Sequence, residues 1–304
     1  MPSTLTLRRQ IRSVRNTKKI TKAMELVSGA KMRKAVAAAL ATRSYARCAW
    51  DLLAHLSSRA DRALHPLLAV RPIRRSAVVI LSSNRGLCGS FNTHLALKGI
   101  EAIRRAREQG ARDVDIITFG KRARDTVARH GYVINADFVK ADITNSITDI
   151  SGIIHMITRG YSDGSLDRVD IVSSTFVSSV KQDIEAWQLL PLNASLGTAR
   201  GGITQQKAED RDAGKADYSQ FVFEPSEQHV LGHIIPRLLE TQIFQSVLET
   251  EASEHSARMM AMHNATEAAS DMVGELELSF NRIRQSAITQ EIAELSAGRA
   301  ALEV

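Results

Sequence analysis

Apolar positions form two long helical stripes, one at each end of the chain, with short continuous apolar runs between them. From Arg8 to Trp50 the chain has no proline and a single glycine. Apolar residues recur there at steps of three, four or seven, which predicts one helix from about Ser3 to Ser57. The predicted stripe consists of Ile20, Met24, Val27, Ala30, Ala37, Ala41, Cys48, Leu52 and Leu56.

A second long helix is predicted from about Ser226 to Ala301. Pro236 falls inside this pattern, so we expect the helix either to kink there or to start afresh with Pro236 in its first turn. Apolar residues then recur at steps of three and four, which is the spacing of one helix face. This stripe consists of Ala265, Ala269, Met272, Leu276, Phe280, Ile283 and Ala287.

Between these helices, buried-type apolar runs alternate with amphipathic helical stretches. This alternation predicts an α/β domain whose mostly parallel sheet is covered on both faces. The predicted strands are Ser76–Ser83, Val114–Gly120, Tyr132–Val139, Arg168–Val177 and Asp183–Leu192. The predicted helices are Thr93–Gln109, Lys121–His130 and Asn145–Gly160.

The 304-residue chain is therefore predicted to have four parts. Residues 1–60 form an N-terminal coiled-coil helix, and residues 75–192 form a Rossmann-like α/β domain. Residues 193–225 form a connector, in which the Gly- and Ala-rich, polar stretch 193–215 is expected to be a mobile surface loop. Residues 226–304 form a C-terminal coiled-coil helix.

Charge separates the two long helices. The whole chain has a formal net charge of +7, but residues 1–50 carry twelve Lys or Arg and one acidic residue. Residues 226–304 carry five Arg and twelve Asp or Glu. Because long helices need a partner for their apolar stripes, we expect these two to pack as an antiparallel two-helix coiled coil. The alternative left open is a bundle in which both helices fold onto the α/β domain.

Signals for chemistry are weak. The two cysteines, Cys48 and Cys88, do not form a CxxC pair, which argues against a zinc site or a disulfide framework. The turn “RGLCG” after the first predicted strand lacks both GxGxxG and the Lys-Ser/Thr of a P-loop. We therefore expect no catalytic, cofactor-binding or metal-binding residue. No apolar run approaches the roughly 20 residues that a membrane-spanning helix needs.

Two other classes of protein remain as alternatives. Residues 8–47 are strongly basic, which is also typical of a helix that binds nucleic acid. A basic-region zipper would need leucine heptads directly after the basic stretch, whereas here an α/β domain follows. The second alternative is an α/β enzyme, although the sequence has no visible constellation of acid, base and nucleophile.

Three stretches carry a resemblance to a known family. They are “IRSVRNTKKITKAMELVSGAKMRKA” near the start, “RGLCGSFN” after the first strand, and “ARMMAMHNATEAASDMVGELELSFNRIRQSAITQEIAELSAGRAAL” at the end. In this order they resemble the gamma subunit of the rotary F-type ATP synthase, over nearly the whole chain. The Arg-rich N-terminus could be read as a transit peptide, but the resemblance implies a helix that begins by about Leu7 and leaves no room for a cleavable leader.

The resemblance implies a central-stalk rotor that transmits rotation between the membrane ring of c subunits and the catalytic hexamer. Its partners would be the alpha and beta subunits of the hexamer, the epsilon subunit and the c-subunit ring. It would have no active site, cofactor, nucleic-acid partner or membrane-inserted segment. Its expected location is peripheral, at the cytoplasmic face of the bacterial inner membrane. The 193–215 loop contains no cysteine, so the thiol regulation of plastid relatives is not expected.

The resemblance also implies residues that contact the beta subunit. Met24 matches a family position that faces an acidic loop of beta, where it would act as a bearing contact. The alternative is that it is a core methionine of the coiled coil. Lys18 and Lys22 match positions that can face acidic residues of beta, and the alternative is that they lie on a solvated face of the helix. Near the C-terminus, an Arg-Gln pair matches the family pair that grips loops of beta, and the apolar end from Ile292 to Val304 would pass through the collar of the hexamer. The implied contact residues are Lys18, Lys22, Met24, Arg284, Gln285, Thr289 and Glu291.

Overall fold

The computed structural model describes residues 4–59, 65–140, 144, 146–192, 224 and 226–302. The predicted mobile loop 193–215 lies outside these residues. The chain divides into two compact units, which are described separately below. One comprises residues 1–27 with 259–304, and the other comprises residues 28–258.

The larger unit contains a five-stranded sheet with the strand order β3-β2-β1-β4-β5. Its first four strands are mutually parallel, and β5 pairs antiparallel with β4 at one edge. The predicted mostly parallel sheet is thus confirmed. The strands are β1 (Arg75–Leu81), β2 (Asp113–Phe119), β3 (Ala136–Phe138), β4 (Arg168–Phe176) and β5 (Gln182–Leu190).

Helices cover both faces of this sheet. Val78 and Ile80 of β1 lie in a core shared with α2 (Phe91–Glu108) and α3 (Lys121–Arg129). Val79 and Leu81 lie in the core on the opposite face. Successive side chains of a strand point to opposite faces, so a strand covered on both sides needs an unbroken apolar run. This is the reason that the run “AVVIL” could be recognised as a buried strand.

The predicted helix Asn145–Gly160 begins differently from expectation. Its first turn is a 3₁₀ turn, Ile147–Ile150, and the α-helix α4 follows at Ser151–Ser162. The Ser146 hydroxyl accepts from the Thr148 amide at 3.3 Å, and the Asp149 carboxylate accepts from the Ser146 amide at 3.2 Å. This reciprocal capping box satisfies amides that have no helical partner, and it fixes where the turn starts.

The two long predicted helices are both present. The first, α1, spans Thr4–Arg59, and the last, α5, spans Glu227–Leu302. Pro236 lies inside α5, so the expectation that a new helix starts there is wrong. Proline removes one hydrogen bond from a helix interior. The apolar neighbours Leu231, Ile235 and Leu238 are buried in the core of the α/β domain, and this packing offsets the loss.

One part of α5 is enclosed on every side. Each residue from 241 to 256 is buried, although the stretch contains serines, threonines, glutamines, glutamates and a histidine. A coiled-coil helix would leave its outer face in solvent. The stretch 241–256 is therefore also part of the core of the α/β domain, and Ala39 of α1 lies in the same core cluster.

Candidate partner interface

In the smaller unit, the ends of α1 and α5 pack side by side in antiparallel directions. The Lys18 ammonium donates to the Ser270 hydroxyl at 2.9 Å, and the Glu25 carboxylate lies 3.3 Å from His263 Nδ1. Nearer the start of α1, the Arg8 guanidinium lies over a ring of α5, 5.6 Å from the centroid of Phe280. Residue numbers rise on one helix as they fall on the other, as the predicted antiparallel pairing requires.

The register of α1 differs from the sequence prediction. Ile20 and Val27, which were placed on the buried stripe, are 61% and 56% exposed. Within this unit, buried or half-buried positions from Leu7 to Glu25 recur at steps of four and three, the heptad spacing of a coiled coil, and Met24 is half-buried beside them. These positions are Leu7, Ile11, Val14, Lys18, Thr21 and Glu25. The predicted side chains of Cys48, Leu52 and Leu56 lie outside the described residues.

This register predicts opposite outcomes for two isoleucines on one helix. Ile11→Ala should lower the free energy of opening this stretch by about 2 kcal/mol, because it removes a buried side chain from the seam. Ile20→Ala should change it by no more than about 0.5 kcal/mol, because that side chain is exposed. Amide hydrogen exchange along residues 7–24 measures the opening of this stretch. Faster exchange in Ile20→Ala than in Ile11→Ala would show that the register is the one predicted from sequence.

The seam on α5 agrees better with prediction. Ala269 is buried, and Ala265, Leu276, Phe280 and Ile283 are half-buried, whereas Met272 is 51% exposed. Ala287, the last predicted member, is also exposed. The structure therefore confirms five of the seven positions and contradicts the other two.

The end of α5 extends past the start of α1. The antiparallel register brings Thr4, the first described residue of α1, level with Arg284. Beyond that point every described side chain from 284 to 297 is exposed, and the apolar ones include Ile288, Ile292 and Leu295. Several turns of helix therefore lie beyond the region where the described part of α1 covers α5.

The four C-terminal candidate residues all lie in this uncovered stretch. Arg284, Gln285, Thr289 and Glu291 are exposed. The Thr289 hydroxyl donates to the Gln285 carbonyl at 2.9 Å, which is a bond within the helix and leaves both outer faces open to solvent. An arginine there has its full set of N–H donors available for a carboxylate, which it can bind through two parallel hydrogen bonds.

The three candidate residues of α1 form a separate group. Lys18 and Met24 are half-buried, and Lys22 is exposed. Lys22 pairs with Glu25 at 2.9 Å, and this hydrogen bond is the main reason that the pKa of Glu25 is lowered. Lys18 lies level with Ser270, about 14 residues from Arg284 along α5, which corresponds to about 21 Å of helix. The predicted residues thus form two patches on one unit rather than a single site.

The larger unit contains a buried charge cluster that sequence analysis missed. Lys140 Nζ lies 2.8 Å from a Glu254 oxygen and 3.6 Å from a Glu251 oxygen. The Thr144 hydroxyl and amide donate to the Glu251 carboxylate at 2.6 and 3.0 Å. Arg258 binds Glu254 at 2.9 Å. Pairing Lys140 with residues more than a hundred positions away requires the tertiary fold, and the sequence carries no signal for it.

Electrostatics in this cluster favour the ionised pair. Burial opposes ionisation of Glu254, but the charges of Lys140 and Arg258 outweigh it and lower its pKa to about 2. Burial likewise favours neutral Lys140, yet Glu254 and Glu251 outweigh it and raise the pKa of the lysine. Burial lowers the pKa of His255 to about 4, so this imidazole is neutral at physiological pH. Burial raises the pKa of Glu251, and the Lys140 charge and the Thr144 hydrogen bonds offset this only in part, so Lys140 and Glu254 are the matched pair.

The glycine-rich turn after β1 also has a structural role. The carbonyls of Arg85 and Gly86 accept from the Arg258 guanidinium at 3.4 and 3.2 Å. Burial raises the pKa of the Cys88 thiol, which makes it a poorer nucleophile rather than a better one. Within the described ranges no group of three or more His, Cys, Asp or Glu residues is placed to hold a metal ion. Nor does any helix in those ranges have a stretch long and apolar enough to cross a membrane.

Comparison with known proteins gives a consistent result along the whole chain. The family model described as ATP synthase matches residues 3–302. The ATP synthase gamma chain of Pelotomaculum thermopropionicum is 40% identical over 303 residues, which are 100% of both chains. That of Heliobacterium modesticaldum is 37% identical and covers 99% of this chain and 100% of its own.

Solved structures share the fold at lower identity. The rotor of the mitochondrial ATP synthase of Euglena gracilis matches 94% of this chain and 98% of its own, with a TM-score of 0.58 and 19% identity. The central stalk and c-ring structure from Tetrahymena thermophila contains a chain that matches 81% of this one and 99% of its own, with a TM-score of 0.56. With the full-length sequence matches, these findings show that the chain belongs to the family of ATP synthase gamma chains.

Proposed function

We propose that this chain is the central-stalk rotor subunit of an F-type ATP synthase, which transmits rotation between the c-subunit ring and the catalytic alpha/beta hexamer. The observation that carries the proposal is the match to ATP synthase gamma chains over the full length of both proteins. The long α1 and α5 helices, which a compact enzyme would not need, support it independently.

The uncovered end of α5 is the part that enters the hexamer. A rotor acts by contacting one subunit conformation more favourably than another, which shifts the populations of those conformations as it turns. Such contacts need exposed side chains with strong but exchangeable interactions. Arg284 and Gln285 meet this need because they are exposed polar donors; Thr289 follows about one turn later and Glu291 about two turns after Arg284.

The α1 patch makes a second contact with the beta subunit. Lys22 is exposed, and its ammonium can turn from Glu25 to a partner carboxylate, while Glu25 keeps its contact with His263. Lys18 is half-buried, and its ammonium donates to the Ser270 hydroxyl of α5. The position of this ammonium toward a partner therefore depends on the packing of α1 against α5. Met24 lies on a different face of α1 from Lys22 and presents the exposed part of a flexible, uncharged side chain, as a bearing surface requires.

The subunit is non-catalytic in this proposal, with the catalytic sites on the beta subunits. Its other partners are the alpha subunits, the epsilon subunit and the c-subunit ring. It lies peripherally at the cytoplasmic face of the bacterial inner membrane, without a membrane-inserted segment. Coupling of ion flow to ATP synthesis or hydrolysis then depends on contacts that the rotor makes, rather than on any reaction it performs.

Arg284→Ala tests the proposal against a matched control. In a complex of this chain with its alpha and beta subunits, we expect ATP hydrolysis to fall at least tenfold, because a charge-assisted contact is worth about 1.5–3 kcal/mol. Arg282→Ala, which removes another exposed arginine of the same helix, should reduce it less than twofold.

The unmodified chain must first assemble with one copy for every three alpha–beta pairs. Failure to form an ATP-hydrolysing assembly would refute the rotor function itself. Equal losses in Arg284→Ala and Arg282→Ala would refute only the role given to Arg284.

A further inference from the structure

At the carboxyl ends of its parallel strands, the sheet of the α/β domain has a point where the strand order reverses. The chain proceeds from β1 outward to β2 and β3, and then returns to the other side of β1 as β4. At such a reversal the loops after the two central strands leave in opposite directions and open a crevice. Doubly wound domains commonly bind their ligands in that crevice.

Here α5 itself contacts the loops at that edge. The Arg258 guanidinium binds the Gly86 carbonyl in the turn after β1 at 3.2 Å. On the other side, the Ser174 amide of β4 donates to the Thr250 hydroxyl at 3.1 Å. The Ser256 hydroxyl donates at 2.6 Å to the carbonyl of Ser179, in the hairpin after β4.

The segment after β3 is attached to the same stretch of α5 through charges. Lys140 binds Glu254 at 2.8 Å, and Thr144 binds Glu251 at 2.6 Å through its hydroxyl. Lys140, Glu251 and Glu254 are all less than a tenth exposed. Segments that follow three different strands, β1, β3 and β4, are thus held by one stretch of helix, residues 250–258.

The polar character of these contacts with α5 determines how firmly they hold the helix in one orientation. Apolar packing holds α5 in the core, but each apolar contact by itself has little directional preference. Buried charges and hydrogen bonds allow one register alone, because any other leaves charges buried without partners. Lys140 and Glu251 therefore fix α5 in rotation as well as in position.

We propose that residues 250–258 of α5, together with Lys140 and Thr144, form a rotational lock between the α/β domain and α5. This inference rests on the rotor function proposed above and adds the residues through which torque passes. Torque applied to the α/β domain enters α5 through the lock, and α5 carries it onward as one continuous helix to Leu302. Without the lock, α5 slips relative to the domain under load.

The double variant Lys140→Met with Glu251→Gln tests this lock. It removes one positive and one negative charge together and leaves the Glu254–Arg258 pair at 2.9 Å intact. In the complete membrane-bound complex we expect ATP hydrolysis close to that of the unmodified chain. The number of ions pumped per ATP should fall by half or more, and amide exchange in residues 138–140 and 144 should accelerate at least tenfold. The control, Lys181→Met with Asp183→Asn, removes an exposed ion pair of the same domain and should change neither quantity.

Thr144→Val provides a second, gentler variant in case the double variant does not assemble. It removes the hydroxyl contact with Glu251 and keeps the backbone contact at 3.0 Å, so a smaller loss of pumping per ATP is expected. Unchanged pumping per ATP, or unchanged amide exchange, in the variant that assembles would overturn the lock. A complex that cannot couple hydrolysis to pumping even with the unmodified chain would instead overturn the rotor function.

Discussion

Lys140→Met alone will lower the free energy of unfolding by about 3–5 kcal/mol, the range typical of breaking a buried ion pair from one side. Lys140 is 5% exposed and lies against Glu254 and Glu251. Methionine fills a similar volume but leaves the Glu251 charge without its cation. Glu254 keeps only Arg258 as a partner. Urea denaturation of the full chain, followed by circular dichroism, measures the loss.

Two comparisons separate charge from packing in that experiment. Lys181→Met removes a lysine from an exposed pair with Asp183 and should cost no more than about 0.5 kcal/mol. Adding Glu251→Gln to Lys140→Met should recover much of the loss, since the unmatched charge disappears with it. If Lys140→Met were as stable as Lys181→Met, the cluster would contribute nothing to folding.

Gly120→Ala will be as damaging as any single change in the α/β domain, costing on the order of 4 kcal/mol or more. Gly120 joins β2 to α3 with φ of +105°, a conformation that disfavours any side chain. A Cβ there would lie 2.5 Å from the Ser82 carbonyl oxygen and 2.8 Å from its carbon. Both are backbone atoms at the end of the central strand, so neither can move aside without shifting the sheet.

Gly131→Ala is the matched control for this prediction. Gly131 also has a positive φ, +82°, but a Cβ there would meet nothing within 4 Å. Its substitution should cost only the conformational penalty, about 1–2 kcal/mol. Thermal unfolding of both variants measures the difference, which isolates the steric clash from the backbone strain. Similar melting temperatures for the two variants would refute the clash.

The strands illustrate what a sequence can specify. Strands covered on both faces require unbroken runs of β-branched and aliphatic residues, and such runs are rare elsewhere. The predicted start of β1 at Ser76 is one residue from the observed Arg75, and α3 begins at the predicted Lys121. The antiparallel direction of β5 was not predicted, because the same kind of apolar run serves either direction.

The seam of α1 shows where the pattern misleads. Sequence analysis placed the largest apolar side chains inside, yet Ile20 and Val27 are exposed while Thr21 and Ser28 are buried one position later. Small and hydroxylated residues allow close approach of a second helix, so they can occupy a seam without being strongly apolar. Which face is buried depends on the partner, and hydrophobicity along one helix does not contain that information.

The candidate contact residues likewise combine a prediction from the sequence with an exposure that only the fold decides. The contact role of Arg284 stays a prediction from the family resemblance, whereas its exposure follows from the register of α1 against α5. The length, charge separation and strand-helix alternation determined by the sequence alone are local properties of the chain. Tertiary structure alone decided that residues 241–256 of α5 are enclosed and that Lys140 meets Glu251 and Glu254. A lysine or glutamate is the same residue in the sequence whether it is buried or solvated. Only the distant residues that pair with it in the fold distinguish the two cases.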